Sequence, residues 1–207
     1  MLTFEEDEHI YRWDGDPVPG VTRILGEWVK VEAWNSYVNA ATGSVVNADI
    51  LEAAGDSGTA VHLGVKLLLT CGLDWEVLDT TLVAPLKEFL NWKEVFGFQP
   101  EVIEKPMFSA KHRFAGTPDL IGTLRGVRGK VLVDIKTGRK NSLVGPQTAA
   151  YEILYRETTK YRGQLTRYEL ILPRDGGACI CKQLTDQYDG AYFLSKLFQH
   201  NVVANPK

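Results

Sequence analysis

The chain has 207 residues, 44% of them hydrophobic and 24% charged, which is ordinary for a soluble globular protein and excludes a disordered or fibrous chain. Its length suits one domain better than two. The formal charge of -3 and pI near 5.8 look wrong for a nucleic-acid binder, but the mean conceals a segregation. Residues 105–168 carry 13 Lys and Arg against four acids, whereas the rest of the chain carries 10 basic and 22 acidic side chains. The amino terminus, MLTFEEDEHIYRWDG, is acidic and has no apolar core, and the longest apolar run, VKLLLT, is too short to span a bilayer. A cytoplasmic protein without a membrane partner is expected. The three cysteines form no CxxC pair and suit small core residues or free thiols better than a disulfide framework.

Residues 3–24 read as a turn-rich extended lead-in, with Asp14-Gly15 as a hairpin signal and Pro17 and Pro19 excluding helix. Helical patterns follow over 21–39 and, less clearly, as far as residue 56. A helix is predicted over 59–70 with Ser57 as its cap and Cys71-Gly72 as its end. Another is predicted over 81–96, with Pro85 in its first turn and Gly97 as the stop. The period then changes to two. Residues 101–109, 118–124 and 130–136 are strand-like and joined by short polar turns at Lys111-His112 and 125–129, which makes an antiparallel meander. A helix over 146–159, strands over 168–172 and 178–183 around a turn at 173–177, and a helix over 189–200 complete the chain. The order implies an α/β layer fold with a mixed sheet, residues 1–100 forming a lead-in and helical elaboration and 101–207 the core.

The chemistry concentrates in the strand VLVDIKTG. Val131, Val133 and Ile135 alternate with Leu132, Asp134 and Lys136, so an acid and an amine project side by side from one face. Folding the meander about the 125–129 turn brings Asp119, in GTPDLIG, opposite the Asp134/Lys136 region. If Lys111 and His112 are the loop residues of the earlier hairpin, antiparallel counting pairs position 104 with position 119 and sets Glu104 alongside. Hard carboxylate oxygens with one amine suit a Mg²⁺ or Mn²⁺ site for phosphate chemistry, to which the backbone carbonyl of Ile135 could add an oxygen. An Asp-x-Lys triplet by itself is equally an exposed salt bridge.

FAGTPDLIG followed by VLVDIKTG resembles the paired metal motifs of the PD-(D/E)xK nucleases, specifically the RecB-like branch found in phage and bacterial exonucleases. GTAVHLG resembles that branch's upstream helix with a metal-contacting His, here His62. PQTAAYEIL resembles its Gln-x-x-x-Tyr motif, here Gln147 and Tyr151, and the lead-in HIYRWDGDPVPGVTRIL resembles the start of phage members, in which Glu104 matches an acidic position. The resemblance covers most of the chain and implies a restriction-endonuclease-like fold, a central mixed sheet flanked by helices. It also implies cleavage of DNA with one or two Mg²⁺ or Mn²⁺ ions, in a bacterial or phage-infected cell, in recombination, repair or genome processing. Catalysis would fall to Asp119, Asp134 and Lys136, metal contacts to His62, Asp119, Asp134, the Ile135 carbonyl and Glu104, and substrate contacts to Gln147, Tyr151, Arg139 and Lys140. A structure-selective endonuclease of the same fold and a non-catalytic DNA-end-binding module remain open.

Other motifs fit less well. GDSG at 55–58 resembles a trypsin-like nucleophile motif without its context, and Lys136-Thr137-Gly138 lacks a partnering S-x-x-K. Three cysteines do not make the four-cysteine iron-sulfur site of some RecB-like nucleases. No phosphate-binding G-x-x-x-x-G-K-[ST] loop is present, so a helicase, single-strand-binding or annealing partner would be a separate protein. Without metal, Asp119 and Asp134 are expected to raise each other's pKa, so that Asp119 costs stability.

Overall fold

The structure, a computed structural model, describes residues 1–5, 10–26, 57–137, 143–174 and 176–204. Its first unit is a three-stranded antiparallel sheet of β1 (Leu2–Glu5), β2 (Ile10–Trp13) and β3 (Asp16–Val18), in that order. Asp14 and Gly15 form its two-residue turn with φ of 52° and 92°. Two successive positive φ angles match the right-handed twist of the flanking strands, which is why an Asp-Gly pair is a hairpin signal. The helix expected over 21–39 departs from that reading: α1 is a single turn, Val21–Ile24, closed by Gly26 at φ 78°. A residue without a Cβ takes that left-handed cap without strain. Residues 27–56, and with them the rest of this expectation, lie outside the described residues.

Helix α2 spans Ser57–Thr70, so Ser57 is the helix's first residue instead of preceding it, and Gly72 at φ 89° ends it as expected. Helix α3 spans Thr80–Val95 and is capped by Asp79, whose Oδ1 accepts the Thr81 N–H at 2.7 Å. Pro85 sits beyond the first turn of α3, where its missing N–H leaves a gap in the helical ladder. Pro85 is buried there.

The central sheet has five strands in the order β10-β9-β8-β7-β4. These are β4 (Gln99–Ile103), β7 (Leu120–Thr123), β8 (Lys130–Lys136), β9 (Leu165–Ile171) and β10 (Ile180–Leu184). β8 and β9 run parallel and the other neighbours antiparallel, so the sheet is mixed, as expected. The strand expected over 101–109 is broken in two. Glu104 takes a left-handed φ of 41° and Pro106 removes a ladder donor, so the chain leaves the sheet after β4. It resumes as a separate hairpin of β5 (Met107–Ser109) and β6 (Phe114–Gly116). Cys179 precedes β10 instead of lying on it, and the three thiols are free.

Helix α4 (Val144–Thr159) enters between β8 and β9, the length a parallel crossover requires, and α5 (Asp189–Ala204) closes the chain. The sheet is covered on both faces. Val131, Val133 and Ile135 pack with Leu82, Leu86 and Phe89 of α3 and Val61 and Val65 of α2. Ile121 and Leu132 pack on the other face with Ala150 and Leu154 of α4 and Phe193 and Leu197 of α5. The alternation expected of β8 is therefore present. Among the described residues, no helix is long and apolar enough to cross a membrane.

Candidate active site

Strand direction gathers the candidate residues at one end of the sheet. β4 ends at Ile103, β7 begins at Leu120 and β8 ends at Lys136, and the two antiparallel pairings put those three termini side by side. The Glu104 N–H donates to the Asp119 carbonyl at 2.9 Å, which continues the β4–β7 ladder one step past the strands. That is the 104-to-119 pairing expected from counting about the hairpin. Helix α2 brings His62 to this end of the sheet, and α4 brings Gln147 and Tyr151.

A pocket of about 250 Å³ opens there, lined by His62, Glu104, Asp119, Lys136, Gln147 and Tyr151 among others. Asp119 is anchored twice: Oδ2 accepts the Ile135 N–H at 2.7 Å, and Oδ1 lies 3.5 Å from His62 Nδ1. In an extended strand the carbonyl of a residue points to the same edge as its N–H, so the Ile135 carbonyl also faces the Asp119 side. Asp134 is fully buried, with Oδ2 2.7 Å from Lys136 Nζ. That contact is an ion pair without hydrogen-bond alignment, and neither Asp134 oxygen has a hydrogen-bond partner among the described residues. Lys136 Nζ also donates to Gln147 Oε1 at 3.2 Å, and Gln147 Nε2 donates to the Tyr151 hydroxyl at 3.1 Å. The i, i+4 spacing of Gln147 and Tyr151 thus fixes the lysine in place.

Burial and charge divide these groups. Burial pushes the Asp134 carboxyl up to about 6 against the opposing pull of Lys136. Burial also acts to raise Asp119, but the His62 charge, with help from Lys136 and the Ile135 N–H, outweighs it and holds the carboxyl below its ordinary value. For His62, burial acts to lower the pKa, and the facing Asp119 carboxylate more than reverses this, to about 9. Burial raises Glu104, and burial raises the Tyr151 phenol well above its usual range. Mutual elevation of Asp119 and Asp134 is therefore corrected: Asp119 is stabilised by a cation and an N–H donor, and the cost falls on Asp134.

Among the described residues, no three His, Cys, Asp or Glu side chains close into a ready-made metal cage. The donors nevertheless fit a hard divalent ion. Mg²⁺ is commonly held by one or two carboxylates with water completing its shell. The oxygens of Asp134 are paired by charge with Lys136 but have no hydrogen-bond partner among the described residues, which leaves a buried carboxylate with acceptor capacity to spare. Asp119, Asp134, the Ile135 carbonyl and, on the adjoining elements, His62 and Glu104 supply oxygen and imidazole donors. Arg139 and Lys140 lie outside the described residues.

Three contributors escaped the reading of the sequence. Lys66 Nζ lies 3.4 Å from Glu104 Oε2 and lines the pocket. Its signal was its place four residues after His62. Tyr11 and Thr117 also line the pocket and are joined by a 2.8 Å hydrogen bond between their hydroxyls. Nothing local in either segment pointed to that contact.

No protein-family model matches the chain, and no curated protein matches it. Among solved structures, the crystal structure of SSO0001 is similar over 59% of this chain, at 16% sequence identity and a TM-score of 0.35. The match takes in 58% of that protein, less than two thirds of its length. A likeness at that level assigns no family.

Proposed function

We propose that this chain is a divalent-metal-dependent DNA nuclease with a restriction-endonuclease-like, PD-(D/E)xK core of the RecB-like branch, acting as an exonuclease in recombination, repair or genome processing. The observation that carries the reading is the pairing of β7 with β8. It sets Asp119, Asp134 and Lys136 at one end of the sheet, with Gln147 holding the lysine. An exposed salt bridge would need neither a fully buried carboxylate without hydrogen bonds nor a glutamine dedicated to its lysine.

A Mg²⁺ or Mn²⁺ ion bound by Asp119 and Asp134, with His62, Glu104 and the Ile135 carbonyl within the same group of donors, would polarise the scissile phosphate and acidify a water. Lys136 is oriented by Asp134 and Gln147, so its ammonium can hold the attacking water or face the negative charge that grows on the phosphate oxygens. The attacking water would give up a proton to solvent as its oxygen bonds to phosphorus, one P–O ester bond would break, and the departing oxygen would take up a proton from solvent. Tyr151, kept in its neutral form by burial, supplies a fixed acceptor for Gln147 and so holds the lysine at one angle. The basic excess over residues 105–168 would carry the DNA backbone. An unwinding, single-strand-binding or annealing protein would act as a separate partner.

The test is a time course on end-labelled linear DNA and covalently closed circles, single- and double-stranded, with Mg²⁺ or Mn²⁺. Linear DNA should be degraded from its ends, closed circles should survive, and a chelator should stop the reaction. Equally fast nicking of closed circles would replace the exonuclease by an endonuclease of the same fold. Metal-dependent binding without any cleavage would replace it by an end-binding module, and full activity in excess chelator would overturn the metal mechanism.

A further inference from the structure

Two lysines from different elements line the pocket. Lys136 comes from the sheet and is engaged by buried Asp134 and by Gln147. Lys66 comes from α2, one helical turn after His62, so both side chains leave the same helix face toward the same pocket. No arginine joins them among the described residues that line it. Lys66 is 38% exposed, whereas its partner Glu104 is only 12% exposed, which places the ammonium at the pocket mouth and the carboxylate inside.

A salt bridge between two solvated side chains would contribute little and imply nothing. Glu104 is largely withdrawn from solvent at the turn where β4 leaves the sheet, held there at a φ of 41°. Glu104, Asp119 and Asp134 give this end of the sheet three carboxylates, and a phosphate strand approaching them is repelled unless cations meet it at the entrance. Lys136 serves the inner end. Lys66 occupies the outer one, on a flexible four-carbon stem whose ammonium can turn from Glu104 to a phosphate oxygen without moving α2.

The geometry points to Lys66 as a substrate-binding residue that grips the phosphate adjacent to the scissile one while Lys136 faces the scissile phosphate. This rests on the nuclease reading and narrows its substrate to a strand presenting at least two consecutive phosphates. A fluorescein-labelled oligonucleotide, as a single strand and as a duplex, is titrated with the full chain in Ca²⁺ across a series of salt concentrations. The slope of log affinity against log salt counts phosphate contacts, so Lys66→Met should lower its magnitude by about one, equally on unrelated sequences. Lys66→Arg should restore it. Should Lys66→Met fail to fold, as judged by melting in chelator, Lys66→Gln carries the same test. A neutral variant with the wild-type slope, whatever its affinity, would make Lys66 a counterion of Glu104 alone and overturn the assignment while leaving the nuclease reading intact. Wild-type protein with no salt-dependent binding would overturn both.

Discussion

Replacing Asp134 by asparagine isolates the energetic cost of the site, and its signature is a dependence on pH. Asp134 is fully buried, and its carboxyl is pushed from 3.8 up to about 6 by burial. Well below pH 3.8 the group is protonated in the folded and unfolded chains alike and costs nothing. Between 3.8 and about 6 the unfolded chain releases its proton first, so stability falls as the pH rises, and above about 6 the whole cost is present. Roughly two units at about 1.4 kcal/mol each make this cost about 3 kcal/mol. The variant lacks the titration. Part of the cost is already present at about pH 4, so its stability relative to wild type, without metal, should move by about 2 kcal/mol in its favour between about pH 4 and about pH 7.5. For a chain of this length that is a relative shift in Tm of about 4–8 °C. Constant terms, such as the packing of the asparagine amide or the lost counterion of Lys136, cancel in that comparison. Asp119→Asn should show no such gain over this range, and its deficit should shrink only below pH 3.8. Asp119 is held below its ordinary value, so its contribution is present above that value and lost as the pH falls. The assay is thermal melting of the three proteins in excess chelator across this pH range. A difference between Asp134→Asn and wild type that does not change with pH, or that moves against the variant as the pH rises, would refute the argument that Asp134 carries the cost.

Four further outcomes are expected. His62 is raised from 6.5 to about 9, so its contribution to metal-free stability should be complete below 6.5 and vanish as the pH rises through 9, and His62→Asn should flatten melting temperatures across that window. Mn²⁺ should raise the melting temperature of the wild type more than that of Asp119→Asn, because only ligands that bind the folded state stabilise it. Tyr151→Phe leaves the Gln147 amide without its acceptor, which should cost about 1–3 kcal/mol in melting and lower kcat more than it raises KM in the cleavage assay. Gly116→Ala places a methyl group 2.8 Å from Val21 Cγ2 and 2.9 Å from Tyr151 Cε1, so it should destabilise by about 1–3 kcal/mol and reduce turnover by displacing Tyr151.

The legible parts of the fold were those set by local chemistry repeated over several residues. The alternation in VLVDIKTG assigned the residues of β8 to its two faces, because successive side chains of a strand point to opposite sides even where both are buried. Counting outward from Lys111-His112 reached the 104-to-119 pairing even though β5 and β6 separate into their own hairpin. The register survives because the excursion adds equal lengths to both arms. What broke the expected strand was Pro106, a signal visible in the sequence, together with a left-handed Glu104, whose positive φ leaves no trace in composition. The parallel pairing of β8 with β9 was equally silent, since either direction would have satisfied the same apolar residues.

The site divides along the same line. Strand alternation and pairing named Asp119, Asp134 and Lys136, because carboxylates on paired strands are neighbours by geometry, whereas His62, Gln147 and Tyr151 were named by the resemblance of their segments to nuclease motifs. How charge is shared among them required tertiary distances. Counting acids treats Asp119 and Asp134 as equivalent, yet His62 and the Ile135 N–H turn to Asp119 and leave Asp134 with Lys136 alone. Lys66 was passed over for the converse reason. A lysine on a helix is ordinarily a solvated side chain, and the role proposed for this one depends on β4 ending where its neighbour Glu104 is largely withdrawn from solvent. A residue's chemistry can therefore be guessed from its own element, but its charge state and its partner are properties of the element packed against it.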